Sequence, residues 1–230
     1  MNNATRAQGM QHLKLIEDQG LDLKESDTLN LYLPVLAASI KRRRTPPVAE
    51  FRKLVGLGVL ERLPLEVSIP ALTEPFDPKD KFGVDISETA TIKISGLGSN
   101  FESWMLTEVV EARAGYGLEP HILTSDANDE DILQDAERDD VDTDPAAIHY
   151  LVAQQPKGEE GHLFNDGKAN IFYVPRKIEE QGKMHAVRRV VYVGWSGSGW
   201  YFSAGPVPNE CRWSAGNRVF FRKRLDTVSV

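Results

Sequence analysis

The stretch HAVRRVVYVGWSGSGWYFSAG, residues 185–205, decides how the C-terminal third of the chain folds. Two runs rich in β-branched and aromatic residues flank the four residues SGSG at 196–199, a pattern that predicts two antiparallel strands joined by a tight turn. In such a hairpin, Trp195 and Trp200 lie nearly opposite one another, and Phe202 shares a face with Trp200. The pair either packs in the protein's own core or faces another molecule, and the sequence leaves both open.

The serines and glycines of this stretch match neither the loop that carries a catalytic serine nor the loop that binds phosphate. A nucleophile elbow needs Gly-x-Ser-x-Gly between a strand and a helix, but the fifth residue here is Ser198 and a strand-like run follows. A phosphate-binding loop would end in Gly-Lys-Ser or Gly-Lys-Thr and lead into a helix. We therefore expect the glycines to serve a turn.

Two short stretches of this region resemble known families. GWSGSGWYFSAG resembles one choline-binding repeat, a module that depends on many tandem copies. WYFSAGPVPNECRWSAGNRVFFRKR is similar to the C-terminal end of some phage and bacterial C-type-lectin-like domains, over about 25 residues. Neither resemblance transfers a site, and the candidate aromatic binding residues are Trp195, Trp200, Phe202 and Trp213.

Outward from the hairpin, the patterns predict an α+β fold. AIHYLVAQ, ANIFYVP and NRVFFRKR predict further strands of an antiparallel sheet, whereas ATIKIS, NFESWMLTEVVEARAG and PHILTS predict one strand–helix–strand unit. Upstream, helical periodicity and the start signal Thr45-Pro46 predict helices. We expect a helical region at 1–63, a proline-rich connector at 64–82 with a short strand at LEVSI, and an α+β domain at 83–230 with the antiparallel sheet at its C-terminal end.

A glycine pair inside that unit has the setting of a dinucleotide fingerprint. Gly96-Leu97-Gly98 follows a predicted strand and precedes a predicted helix. The third glycine position holds Phe101, and Asp126 comes 28 residues after Gly98, where about 20 is usual. A plain strand–turn–helix connection is favoured, and a nucleotide-dependent enzyme is an alternative.

Metal sites find little support in the sequence. Asp126, Asn128, Glu130 and Glu137 match ligand positions of a calcium-binding EF-hand loop, but the obligatory glycine is Asp131. The five histidines lack helical metal-ligand spacing, and Cys211 is the single cysteine. We therefore predict no metal and no cofactor, with cation binding by the acidic 126–144 stretch left open.

Charge is strongly segregated in a chain of net charge −7. Residues 41–62 carry seven basic and two acidic residues, 126–144 ten acidic and one basic, and 176–224 ten basic and three acidic. The run containing Arg42, Arg43 and Arg44, with the helix after it, vaguely resembles a winged-helix segment and makes nucleic-acid contact an alternative. An exposed basic helix end explains the same residues equally well.

These observations predict a non-enzymatic structural or assembly subunit, for example of a phage or other virus particle, that acts through protein partners or self-association. The alternatives are a nucleic-acid-binding regulatory module that uses residues 41–62 and an enzyme that uses the Gly96–Gly98 turn. The single cysteine and the lack of a signal-like apolar segment or a membrane-spanning run predict a cytoplasmic protein or an assembled particle, with no membrane contact.

Overall fold

The computed structural model describes residues 58–136, 141–180, 182–208 and 211–223. In chain order the elements are β1 (Leu60–Arg62), β2 (Val67–Ile69), α1 (Pro78–Lys81), β3 (Ile94–Leu97), α2 (Ser99–Met105), β4 (Tyr116–Leu123), α3 (Asp129–Ala136), α4 (Pro145–Ala153), β5 (Asn170–Glu180), β6 (Lys183–Trp195), β7 (Trp200–Pro206) and β8 (Arg218–Arg222).

All eight strands belong to one mixed sheet, in the order β1-β4-β8-β5-β6-β7-β3. β1 and β2 both pair with β4, because Leu60 faces Leu123 and Val67 faces Leu118 along the same neighbour. Most neighbours are antiparallel, but β5–β8 and β3–β7 are parallel pairs. The hairpin of β5 and β6 is the longest pairing and forms the centre of the sheet.

Both faces of the central strands are buried. Alternate side chains of one strand point to opposite faces, so Phe172 and Phe220 join one core while Tyr173 and Phe221 join the other. Helices α2 and α4 supply Phe101, Met105 and Leu151 to the first core, and α3 supplies Ile132 to the second. Burial on both sides explains why the central strands are rich in β-branched and aromatic residues.

The expected α+β architecture is wrong. The described part of the chain is mostly one β-sheet with four short helices, not a mixed middle followed by a separate antiparallel sheet. The expected helical region at 1–63 lies almost wholly outside the described residues, and its last described residues form β1. The C-terminal strands are present, but the sheet is not purely antiparallel because β8 lies parallel to β5.

Two local expectations failed for identifiable reasons. AIHYLVAQ forms most of α4 rather than a strand, since Asp144 caps the helix through Ala147 N and Pro145 occupies its first turn. The helix expected to close on Gly115 ends at Met105, because Val110 and Arg113 return in extended form to bridge Phe76 and Leu72. Consequently β3 and β4 lie far apart in the sheet, and the expected strand–helix–strand unit is not formed by neighbouring strands.

Candidate interaction surface

The tryptophan pair of the hairpin turn faces the protein's own core. Trp195 and Trp200 are opposite one another in the β6–β7 register, with ring centroids 5.3 Å apart and an interplanar angle of 72°. Trp200 is completely buried, and its indole Nε1 donates a hydrogen bond of 2.7 Å to the carbonyl oxygen of Gln155. The turn between them is closed by the Ser196 N–H bonding to Gly199 O at 3.0 Å, and Gly197 has φ +86°.

The loop after α4 covers this pair. Gly158 has φ +76°, and a Cβ atom at this position would lie 2.4 Å from the indole ring of Trp195. The buried amide of Gln155 holds the loop by donating to Glu159 O and Leu163 O and accepting from Leu163 N. The Trp195 ring therefore contacts the loop backbone, in a space that admits only glycine.

The other two aromatic candidates are also engaged internally. Phe202 is completely buried against Phe82 and Phe101. Trp213 is half-buried, and its Nε1 donates to Asp129 Oδ1 at 2.9 Å, beside the Tyr173 hydroxyl, which donates to the same oxygen at 2.9 Å. Burial and the Asp129 carboxylate together raise the pKa of Tyr173 well above its usual value of 10.

The Gly96–Gly98 turn is occupied by side chains of β7. A Cβ at Gly96 would lie 3.2 Å from the Tyr201 ring, and one at Gly98 would lie 2.8 Å from Ser203 Oγ. Gly98 precedes α2, a helix of seven residues. Close packing of β3 against Tyr201 and Ser203 therefore accounts for both glycines.

The described acidic residues of the 126–144 stretch are largely engaged in contacts within the protein. Asp126 Oδ1 accepts from Ala215 N, and Asn128 Oδ1 accepts from Asp131 N at the start of α3. Asp142 and Asp144 pair with arginines, as described below. Among the described ranges no group of three or more histidine, cysteine or acidic residues is arranged to hold a metal ion, and Cys211 is exposed.

Arg42, Arg43 and Arg44 lie outside the described residues. None of the helices in the described part of the chain is both long and apolar enough to cross a membrane.

The outer half of the central hairpin is an exposed feature that the sequence patterns did not single out. β7 pairs with β6 only as far as Arg189, and β8 pairs with β5 only as far as Phe172. Within the described ranges, residues 175–180 of β5 and 183–188 of β6 therefore form strand pairs only with each other, and we name these two segments the ribbon. At roughly 3.4 Å per residue each segment is about 20 Å long.

The surface of the ribbon is open to solvent. Met184 is 63% exposed, and Val84 and Ile86, outside the ribbon, are similarly exposed at 59% and 54%. Lys177, Glu179 and His185 are also exposed. The β-branched and aromatic runs predict the two strands, but they do not predict how far these strands extend past their neighbours, which depends on the lengths of β7 and β8.

Ionic contacts fix the base of the ribbon to the rest of the protein. Arg176 forms an ion pair of 2.7 Å with Glu108 and a hydrogen bond with Thr107, and only 11% of its side chain is exposed. Arg188 binds both carboxylate oxygens of Asp142, at 2.6 and 3.0 Å. Because these contacts act on both strands, the ribbon leaves the sheet in a defined direction.

A second polar cluster, also missed by the sequence analysis, holds α4 against the sheet. Asp144 accepts two hydrogen bonds from the Arg113 guanidinium, at 2.7 and 3.1 Å, and one of 2.9 Å from the Tyr116 hydroxyl. Burial and the Asp144 carboxylate raise the pKa of Tyr116 to about 12. The Asp144-Pro145 pair is a helix-start signal that was visible in the sequence, but its partner Arg113 lies 31 residues away.

Comparison with known proteins gives no family for this chain: no family model, no curated protein and no solved structure matches it.

Proposed function

We propose that this protein is a non-enzymatic assembly subunit that acts through protein–protein contacts, with the ribbon as its contact surface. The observation that carries the proposal is the extension of β5 and β6 beyond every neighbouring strand of the described residues. A two-stranded hairpin on its own is at best marginally stable in water, and a third strand or another packed surface stabilises it.

The way the ribbon is held supports the same proposal. Its base is fixed by Arg176–Glu108 and Arg188–Asp142, so little orientational freedom has to be lost when a partner binds. Its outer part carries the exposed Met184 side chain among charged residues, a mixture that suits an interface with an apolar centre and a polar rim.

The mass of the full chain in solution tests this function. We would measure it by sedimentation velocity and light scattering, for the protein alone from micromolar to near-millimolar concentration and after co-expression with the products of neighbouring genes. The proposal predicts a complex heavier than one chain in at least one of these conditions. A single-chain mass in all of them would contradict it.

Membership of a virus particle stays a prediction from the sequence. The nucleic-acid alternative makes a separate prediction. The protein should bind DNA or RNA at low salt, and this binding should weaken steeply as salt is added. Unchanged mobility with both nucleic acids at low salt would remove that alternative.

A further inference from the structure

The outer edge of β5 presents unpaired backbone groups in a definite pattern. On the side away from β6, Ala169 O accepts from Arg218 N at 3.0 Å and Tyr173 O accepts from Thr143 N at 2.7 Å. Backbone groups of alternate residues in a strand point to the same side, so those of Pro175, Lys177 and Glu179 also point outwards. From Lys177 onwards no described residue hydrogen-bonds to these outward groups.

Pro175 fits this assignment independently. Proline has no N–H to donate, so within sheets it occurs where the missing donor would have faced an open edge. Its position, two residues before Lys177, places its nitrogen on the outer side of β5. The first outward N–H groups beyond it are therefore those of Lys177 and Glu179.

The charges along this edge are complementary to those of a second, antiparallel copy of the same strand. Residues 176–180 read Arg-Lys-Ile-Glu-Glu, with two cations and two anions placed symmetrically about Ile178. If a second copy of the strand lies antiparallel and centred on Ile178, Lys177 of each copy stands opposite Glu179 of the other. Opposite charges at directly facing positions stabilise a strand pair, whereas like charges destabilise it.

The charge pattern is in phase with the backbone hydrogen bonds. Lys177 and Glu179 are the residues whose backbone groups point outwards, so each facing pair can exchange both N–H···O=C bonds. The two pairs related by the symmetry axis together make four backbone hydrogen bonds. Ile178 points its backbone groups towards β6, as the central residue of such an arrangement must.

We propose that a second copy of this chain binds the outer edge of β5, antiparallel and centred on Ile178, to form a two-fold symmetric dimer with a continuous β6-β5-β5-β6 sheet. The inference rests on the proposed function and names its partner as the protein itself. The same patch contacts itself in both copies, which is the geometry that a two-fold axis requires.

Protection of an exposed edge is the other use of proline and charged residues in such a strand. Charges of a single sign would repel every further copy, but here Lys177 and Glu179 alternate and attract a second copy in the symmetric register. If the charges served only to prevent association, the chain would be a monomer in sedimentation equilibrium.

A charge-reversal experiment tests the pairing. In the full chain, Lys177→Glu places two glutamates opposite each other on both sides of the axis, and Glu179→Lys does the same with two lysines. We expect each single variant to weaken dimerisation roughly tenfold or more, measured as the dissociation constant in sedimentation equilibrium. The double variant Lys177→Glu/Glu179→Lys restores complementary pairs and should dimerise like the wild type.

Mixing the two single variants gives the sharpest outcome. Lys177→Glu and Glu179→Lys should form a mixed dimer with each other more readily than either associates with itself. Lys79→Glu is the matched control, because Lys79 is an exposed cation on α1, outside the ribbon. Circular dichroism and thermal unfolding confirm that all variants are folded.

The remaining outcomes separate this inference from the proposed function. A dimer that neither reversal weakens would overturn the β5 pairing and leave self-assembly through another surface. A chain that stays monomeric alone but binds a co-expressed protein would also overturn self-pairing while supporting an assembly subunit. A monomer under all conditions would overturn both.

Discussion

At the scale of single residues, the tryptophan pair shows what local sequence could and could not predict. The spacing of Trp195 and Trp200 around a four-residue turn predicted their proximity, and the 5.3 Å ring separation confirms it. Whether they face core or solvent depended on the loop around Gly158, which is 37 residues before Trp195. No local pattern contains that contact, so the packing of the pair against the protein's own core could not be predicted.

Substitution of Gly158 tests this packing. Gly158→Ala introduces a Cβ into the space of the Trp195 ring and forces a side chain into the left-handed region at φ +76°. We expect the free energy of unfolding to fall by about 2 kcal/mol or more. Urea unfolding followed by tryptophan fluorescence measures it.

Gly167→Ala is the control for backbone strain alone. Gly167 has φ +89° but no atom lies within 4 Å of a Cβ placed there. Its alanine variant should lose only about 1 kcal/mol. Equal losses at both positions would show that contact with Trp195 contributes nothing.

Tyr116 makes stability depend on alkaline pH. Its pKa is raised to about 12 in the folded protein, from a usual value of 10, first by burial and then by Asp144. The folded state therefore holds this proton more tightly than the unfolded state, so the stabilisation is complete below pH 10 and declines as pH rises from 10 towards 12.

Tyr116→Phe should flatten that decline. The variant loses the hydrogen bonds to Thr143 and Asp144 and is less stable at pH 7, but nothing at position 116 then titrates. Between pH 10 and 12 we expect the wild type to lose about 2 kcal/mol more than the variant, measured by urea unfolding at each pH. Parallel pH curves for the two proteins would contradict this assignment.

At the scale of elements, strands were predicted better than helices. Runs of β-branched and aromatic residues between turn residues identified β5 to β8. The run AIHYLVAQ is apolar on most sides, and its periodicity suits a buried strand or a buried helix. Asp144 and Pro145 decide for the helix, because one caps its first turn and the other cannot join an interior strand ladder.

Asp144 accordingly stabilises α4 and its contact with the sheet. Asp144→Ala removes the cap on Ala147 N and leaves the half-buried Arg113 guanidinium without its carboxylate. We expect a loss of about 3 kcal/mol in the free energy of unfolding. Thermal and urea unfolding provide the measurement.

Asp77→Ala is the matched control. Asp77 caps α1 through Lys79 N at 3.0 Å, but this hydrogen bond is exposed and the carboxylate has no arginine partner among the described residues. Its loss should stay below about 1 kcal/mol. If the two variants were equally destabilised, the Arg113 contact would not be a source of stability.

At the scale of the whole molecule, the order of the strands escaped prediction because it is set by long-range contacts. β8 lies between β4 and β5, antiparallel to β4 and parallel to β5. No local sequence pattern specifies these neighbours. Among the described residues, the same topology leaves β5 without a second neighbour beyond the bridge between Asp142 and Tyr173, and so creates the open edge. The candidate surface is thus a product of the strand order rather than of a motif.

Amide hydrogen exchange along β5, measured as a function of protein concentration, tests the central claim most directly. Pairing of two β5 edges predicts that the Lys177 and Glu179 N–H groups exchange more slowly as concentration rises, and that Lys177→Glu shifts this change to roughly tenfold or more higher concentration. The N–H of Ile178 points towards β6, so its exchange rate should change far less with concentration than those of Lys177 and Glu179. Rapid exchange at Lys177 and Glu179 in a sample that is demonstrably dimeric would contradict the account.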